Sequence, residues 1–333
     1  MIKIGWKAGI EQHTPAELLE FAIAAEQAGV ESIDASDHFH PWDPRGQAAF
    51  VWTWLGAAAA RTQKIELGTG VTSPILRYHP AVIAQAAATL AVMAPGRVYL
   101  GLGTGEALND YSATGQWPEY NERQKMLAEA NNLMRELWSG NQVTFQGDYY
   151  ETKKARIYTL PEQPVPIYIS SMVPESADFA GKYGDGLFSV GGREADEYRQ
   201  IFEQFDKGAR EAGKDPQKMP RLVEVNVAYT KDINRVIQAI RTYWVGTYIP
   251  ALFTNKIYTP DMEAKNGEPV GKEAILKSAC LSEDPEEHVQ FIKKYVEYGF
   301  NHIYVHSADP KQKEFLENYG RDVLPKVKRL TPA

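Results

Sequence analysis

Apolar and polar positions along the chain alternate between two periods. Short apolar, β-branched runs at 3–7, 32–36, 64–70, 98–101, 166–170, 186–190, 222–229 and 302–306 predict eight strands. Between most of them, apolar positions recur at helical spacing. Thr14 and Pro15 supply an N-cap and a first-turn proline, and Leu18, Leu19, Ala22 and Ala25 follow on one face. Pro80 opens another helix with Val82, Ile83 and Ala86 on one side, and residues 123–137, 194–212 and 285–298 continue the rhythm. Strands separated by helices pair in parallel through right-handed crossovers.

Eight such units favour a closed barrel over an open doubly wound sheet. The predicted fold is α/β: one (β/α)8 TIM barrel domain over residues 1–333, interrupted by two insertion segments. The first, near 143–158, reads as a hairpin turning at Gly147-Asp148. The second, near 247–281, is rich in Pro, Gly, Tyr and Lys, and is long enough to serve as a lid or interface loop.

Composition narrows the class. With 333 residues, 44% of them hydrophobic, the chain can bury a large core. A formal charge of -7 argues against nucleic acid as a partner, because phosphate binding needs a basic excess. The single cysteine, Cys280, excludes an internal disulfide framework, a CxxC pair and a cysteine-based zinc site, and reads as a small core residue. The N-terminal Met1-Ile2-Lys3-Ile4-Gly5-Trp6 reads as a strand and not as a signal peptide. No apolar stretch approaches the ~20 residues that span a bilayer. The expectation is a soluble cytoplasmic protein without a membrane partner.

In a barrel of this kind, chemistry gathers in the loops after the strands. Those loops begin with Lys7-Ala8-Gly9-Ile10-Glu11, Asp37-His38-Phe39-His40-Pro41-Trp42, Gly70-Val71-Thr72-Ser73-Pro74 and Gly103-Thr104-Gly105-Glu106-Ala107-Leu108-Asn109. Ser170-Ser171-Met172, Gly191-Gly192-Arg193 and His306 follow later strands. His38 is the first candidate for acid–base work, since an imidazole exchanges protons near neutral pH. His38 and His40 together also suit a metal, but strands five and six end without further ligands, so metal hydrolysis is disfavoured and no metal is assigned. Glu106 follows a glycine-rich turn that permits close backbone approach to a ligand, although it lacks the third glycine of a dinucleotide fingerprint. Trp42 is the loop aromatic expected to face a ligand. Glu11 and Trp6 are further candidates, while His13 and His288 read as surface residues. Lys7 is the only candidate for a Schiff-base lysine in a barrel without redox chemistry.

Taken together, these segments identify a resemblance. With Arg77-Tyr78-His79-Pro80-Ala81-Val82-Ile83-Ala84-Gln85, Gly147-Asp148-Tyr149-Tyr150 and Gly299-Phe300-Asn301-His302, the chain resembles the deazaflavin-dependent dehydrogenases of the bacterial luciferase-like superfamily, nearly end to end. The resemblance implies a homodimer that uses coenzyme F420, an 8-hydroxy-5-deazaflavin, to accept a hydride from an alcohol or hemiacetal carbon. It implies that His38 takes the hydroxyl proton, Trp42 packs at the reacting centre, Glu106 lies by the deazaflavin and Glu11 lines the substrate pocket. Asp37, Gly70, Val71, Ser73, Gly105, Asn109, Ser170 and Ser171 match coenzyme positions, and Gly70-Val71 matches a non-proline cis peptide.

Two branches of that family differ in substrate. One oxidises glucose 6-phosphate and grips the phosphate with three basic residues; Arg193 matches one, Ser278 stands where an arginine belongs, and Lys256 is only near the third. The other oxidises secondary alcohols, and the segment Ile249 to Tyr258 is more similar to it. A non-phosphorylated alcohol is therefore the expected substrate, ahead of a sugar 6-phosphate. A flavin-mononucleotide monooxygenase on the same scaffold is the remaining alternative.

Overall fold

The computed structural model describes residues 2–249 and 257–330. Its strands are β1 (Lys3–Ala8), β2 (Ser32–Ala35), β3 (Glu66–Thr69), β4 (Val98–Leu102), β5 (Ile167–Ser170), β6 (Gly186–Val190), β7 (Arg221–Tyr229), β8 (Cys280–Ser282) and β9 (His302–His306). All eight predicted strands are present. They pair in parallel in the order β1, β2, β3, β4, β5, β6, β7, β9, and β9 returns to β1, which closes the barrel. The short β8 was not foreseen. It lies outside the ring and pairs with the outer end of β7, Val227 opposite Cys280.

Helices α1 (Pro15–Gln27), α2 (Val51–Arg61), α3 (Pro80–Met93), α4 (Ala107–Thr114), α5 (Tyr120–Leu137), α6 (Pro174–Tyr183) and α7 (Ala195–Glu211) wrap the first six strands. After β7 come α8 (Ile233–Ala239), a π-turn Ile240–Trp244 and a 3₁₀ turn Val245–Tyr248. Helices α9 (Pro260–Gly267) and α10 (Lys272–Ser278) belong to the second insertion, and α11 (Pro285–Glu297), α12 (Gln312–Asp322) and α13 (Leu324–Val327) complete the ring. The start of α1 is a reciprocal capping box: the Thr14 hydroxyl accepts from the Glu17 amide while the Glu17 carboxylate accepts from the Thr14 amide at 2.9 Å.

The first insertion is the predicted hairpin, with antiparallel bridges Val143–Ala155 and Gln146–Glu151. Its turn is held from α5, where the Glu129 carboxylate accepts from the amides of Asp148, Tyr149 and Tyr150 at 2.7–2.9 Å.

Alternation along β1 explains how the barrel fills. Trp6 points outward to α12, where its indole donates to Gln312 Oε1 at 3.2 Å, so this candidate lies in the core and not at the site. Gly5 and Lys7 point inward. A Cβ at Gly5 or Gly68 would collide with the rings of Tyr304 and Tyr99, whose hydroxyls meet at 2.8 Å in the lower barrel. Glycine on one strand thus makes room for a large ring on another, as close packing requires.

Two histidines expected at the surface are buried. His13 packs edge-on against Phe21, and His288 lies between Tyr229 and Tyr319 on the inner face of α11. Burial lowers the pKa of both, so each serves as a neutral aromatic ring.

Helices α6 and α7 cross with their backbones in contact at two glycines. A Cβ on Gly181 would collide with the Phe205 carbonyl, and one on Gly208 with the Asp178 carbonyl. Alanine in a helix interior normally gains ~1 kcal/mol over glycine. Here the overlap reverses the sign, and Gly181→Ala should destabilise the protein by ~1–3 kcal/mol through overpacking. Urea unfolding measures this, and a stabilised variant would refute the close crossing.

Candidate active site

The wide end of the barrel holds a line of charged groups that begins inside the strands. Lys7, expected in the loop after β1, is still within the strand and points into the barrel. Its ammonium meets Asp34 of β2 at 3.0 Å and Glu224 of β7 at 3.1 Å, and donates to the Gly70 carbonyl at 2.9 Å. Burial would lower the lysine pKa, but Asp34, Glu224 and Glu11 outweigh it and hold the ammonium charged. That environment suits a structural cation and not a Schiff-base amine, which must lose its proton.

One layer higher stands His38, just beyond β2. Its Nδ1 lies 2.9 Å from Glu11 Oε1, and its Nε2 lies 3.7 Å from Glu106 Oε2. Glu11 is fully buried. Burial alone would raise its pKa, yet the His38 ring and then Lys7 bring it down to about 2. The ionised Glu11 thus stands as a counter-charge on the Nδ1 side of the ring, and Nε2 is the nitrogen turned toward Glu106. Burial also works against charge on His38, but Glu106 and Glu11 prevail and its pKa is raised above 6.5.

Glu106 precedes α4 and is fixed by its neighbours. Asn109 Nδ2 donates to its Oε2 at 3.1 Å and the Trp42 indole approaches the same oxygen at 3.5 Å. Asn109 Oδ1 meanwhile accepts from the amides of Phe39 and His40 at 2.8 and 3.0 Å. One amide side chain therefore ties the loop after β2 to the loop after β4. Trp42 lies 5.6 Å from the His38 ring and 5.8 Å, edge-on, from Trp244. Trp244 arrives from the π-turn and packs 4.1 Å from His306, whose Nδ1 is 3.0 Å from Asn226 Oδ1. Burial brings the His306 pKa down to about 4 and keeps it neutral.

The residues matched to a coenzyme line one side of this centre. Gly70–Val71 is a cis peptide. A Cβ at Gly103 would stand 2.7 Å from Val71 Cγ2 and 3.8 Å from Ser170 Cβ, so these three close on one another. Gly105 has φ +79°, and a Cβ there would also stand 2.7 Å from Ser73 Oγ, which only glycine avoids. The buried Ser73 Oγ and Asp37 Oδ2 have no partner among the described residues. Asp37 Oδ1 accepts from Tyr78 at 2.8 Å, and Arg77 lies between Asp37 and Asp110 at 3.5 and 3.4 Å. Ser171 differs: its hydroxyl is engaged with the Val173 carbonyl and Ser176 at the start of α6. Glycines at 70, 103 and 105, beside the unpartnered Ser73 and Asp37 oxygens, suit the close approach of a flat, polar-edged ring such as a deazaflavin.

Arg193 is half-buried after β6, with Nη1 3.4 Å from the Val190 carbonyl. Ser278 is its near neighbour across Gly192, where a Cβ would stand 3.3 Å from Ser278 Cβ. Lys256 lies outside the described residues.

Sequence reasoning missed the supports of this site: Asp34, Glu224, Trp244, Asp110 and Asn226. Arg77 stood in a quoted segment without a role. The available signal was the charged side chains at 7, 34 and 224 within predicted strands, since a buried charge requires a counter-charge.

Comparison with known proteins shows the family. The family described as luciferase-like monooxygenase matches residues 2–302. An F420-dependent glucose-6-phosphate dehydrogenase of Gordonia bronchialis is 39% identical, covering 99% of this chain and 98% of its own. One from Mycolicibacterium gilvum is 40% identical, with 99% of each chain covered. The solved structure of an F420-dependent secondary alcohol dehydrogenase in complex with an F420-acetone adduct superposes with a TM-score of 0.93 at 38% identity, covering 98% of this chain and 99% of the other. The motifs had pointed to the same place, and the chain belongs to the luciferase-like family.

Proposed function

We propose that the protein is an F420-dependent oxidoreductase that removes a hydride from the CH–OH carbon of a non-phosphorylated alcohol. The observation that carries this reading is the His38 imidazole, with Nδ1 2.9 Å from a buried carboxylate and Nε2 on the side of Glu106, beside Trp42. When bound, the deazaflavin supplies the hydride acceptor. Gly70, Val71, Ser73, Gly105, Asn109 and Ser170 would hold it, with Asp37 and Ser171 supporting the rim.

The chain's own work is proton handling and placement. His38 Nε2 takes the hydroxyl proton as the carbinol carbon becomes a carbonyl, and Glu11 stabilises the imidazolium that results. Glu106, fixed by Asn109, holds a second negative charge beside Nε2. Trp42 and Trp244 form an apolar wall that excludes water and orients the alcohol. In the reverse direction the imidazolium returns the proton. The enzyme acts, in this reading, as a homodimer on a dissolved small molecule.

A sugar 6-phosphate is the second reading, and Arg193 favours it. Against it stands Ser278, a neutral side chain beside Arg193, because a phosphate dianion needs charge-assisted partners.

Loading the protein with F420 and following bleaching with 2-propanol against glucose 6-phosphate tests the substrate. Turnover of 2-propanol is expected, and turnover of glucose 6-phosphate alone would overturn the choice. His38→Ala should keep coenzyme binding and lose ~10²–10⁴-fold in kcat, the usual share of a general base; near wild-type turnover would remove His38 from that role. A base acts when neutral, so alcohol oxidation should rise with pH through a midpoint above 6.5. Glu11→Gln removes one of the two anions that raise His38, and the midpoint of kcat/KM should move to lower pH. An unmoved midpoint would show that Glu11 does not set the His38 charge.

A further inference from the structure

Helix α9 brings a carboxylate to this centre that the mechanism does not use. Glu263 is fully buried, and neither of its oxygens has a hydrogen-bond partner among the described residues. A Cβ at Gly246 would stand 2.5 Å from Glu263 Oε1 and 3.0 Å from Trp42 Cδ2 and Cε3, so the carboxyl and the indole press on the same glycine. Only a residue without a side chain at 246 lets them approach so closely. The helix is anchored on the side of the site that carries Glu106: Tyr258, just before α9, packs 4.2 Å from Tyr111 of α4, and Ser112 of α4 donates to its carbonyl.

Among the described residues no side chain compensates this carboxyl. Among the described residues the charged group acting on it is Glu106, of like sign. The 3₁₀ turn against α9 contributes Gly246, which has no side chain, and the loop after β2 contributes the Trp42 ring. Asp261 and Lys265 of α9 face solvent. A buried carboxylate without a partner is strongly disfavoured, so the group takes up a proton.

We propose that Glu263 is a positioning residue for the reacting half of the site: as a neutral acid it seats the Trp42 indole, and on ionising it displaces Trp42 and opposes Glu106. Its catalytic consequence rests on the functional reading above, whereas the effect on Trp42 does not. Burial, then Glu106, raise its pKa to about 7, which puts the change within the working range. The folded carboxyl holds its proton more tightly than the unfolded one, so the protein loses stability as pH rises from the unfolded value through about 7.

The variant Glu263→Gln keeps the shape and cannot ionise; Glu263→Met serves if the amide fails to fold. In coenzyme-free protein, tryptophan emission and Tm are followed from pH 5 to 8.5, with Trp42→Phe identifying the Trp42 signal. Wild type should show an emission change near pH 7 that is absent from Glu263→Gln, together with a Tm deficit relative to Glu263→Gln that grows from pH 5 and levels off above about 7. The His38 transition should persist in both. In alcohol oxidation, kcat/KM of Glu263→Gln should match wild type near pH 6 and exceed it by up to about tenfold at pH 8, the ratio expected one unit above such a pKa. Superimposable emission curves would overturn the proposal even if no alcohol were oxidised. A Tm gap with an unchanged Trp42 signal would reduce Glu263 to a buried acid without influence on the site.

Discussion

The arrangement at the wide end of the barrel depends on one buried cation. Lys7 sits inside a ring of strands, where an uncompensated charge would cost several kcal/mol. It is satisfied by carboxylates from β2 and β7 and by a carbonyl from the end of β3. These contacts draw strands from opposite parts of the barrel onto one point. They also fix where the next charge can go. Glu11, one layer higher, remains ionised in a fully buried position because the ammonium lies below it and His38 beside it. The polarity of the site is therefore built outward from the core.

Charge then falls in layers of alternating sign. Lys7 lies between Asp34 and Glu224, and His38 lies between Glu11 and Glu106. The two carboxylates around the imidazole have different settings. Glu11 is enclosed and serves the ring nitrogen that faces the protein. Glu106 is at the pocket edge and is oriented by Asn109 and Trp42. This asymmetry gives the two nitrogens of one ring different surroundings.

How much of this could be read from the chain follows from the range of each interaction. Barrel strands carry apolar runs of period two, and helices such as α1 and α3 begin with a cap or a proline, so both are written locally. Helix α2 begins at Val51 with neither a side-chain cap nor a proline, and β8 is three residues long, so local signals for them are weak or absent. The rim residues were legible because they cluster in loops after predicted strands. His38, Glu106, Glu11 and Trp42 do meet. Their supports were not legible: Lys7 with Asp34, and Asn226 with His306, become neighbours only when the barrel closes. His13 and His288 were misplaced for a related reason, since a neutral imidazole on a core face leaves no mark in the sequence.

The short strand β8 gives the second insertion a defined exit. The insertion leaves the barrel through the turn Val245–Tyr248 and returns through Cys280–Ser282, which pairs with the part of β7 that extends past the closed ring. The return is clamped to the barrel by that pairing, whereas the turn Val245–Tyr248 packs on α9, where a Cβ at Gly267 would stand 2.4 Å from Val245 Cγ1. The intervening segment contributes no strand to the closed ring, and α10 carries Ser278 within it, at the edge where Arg193 stands. Divergence among relatives in this segment would retune which molecules enter at Ser278 and would reach the proton-handling centre through Glu263 of α9.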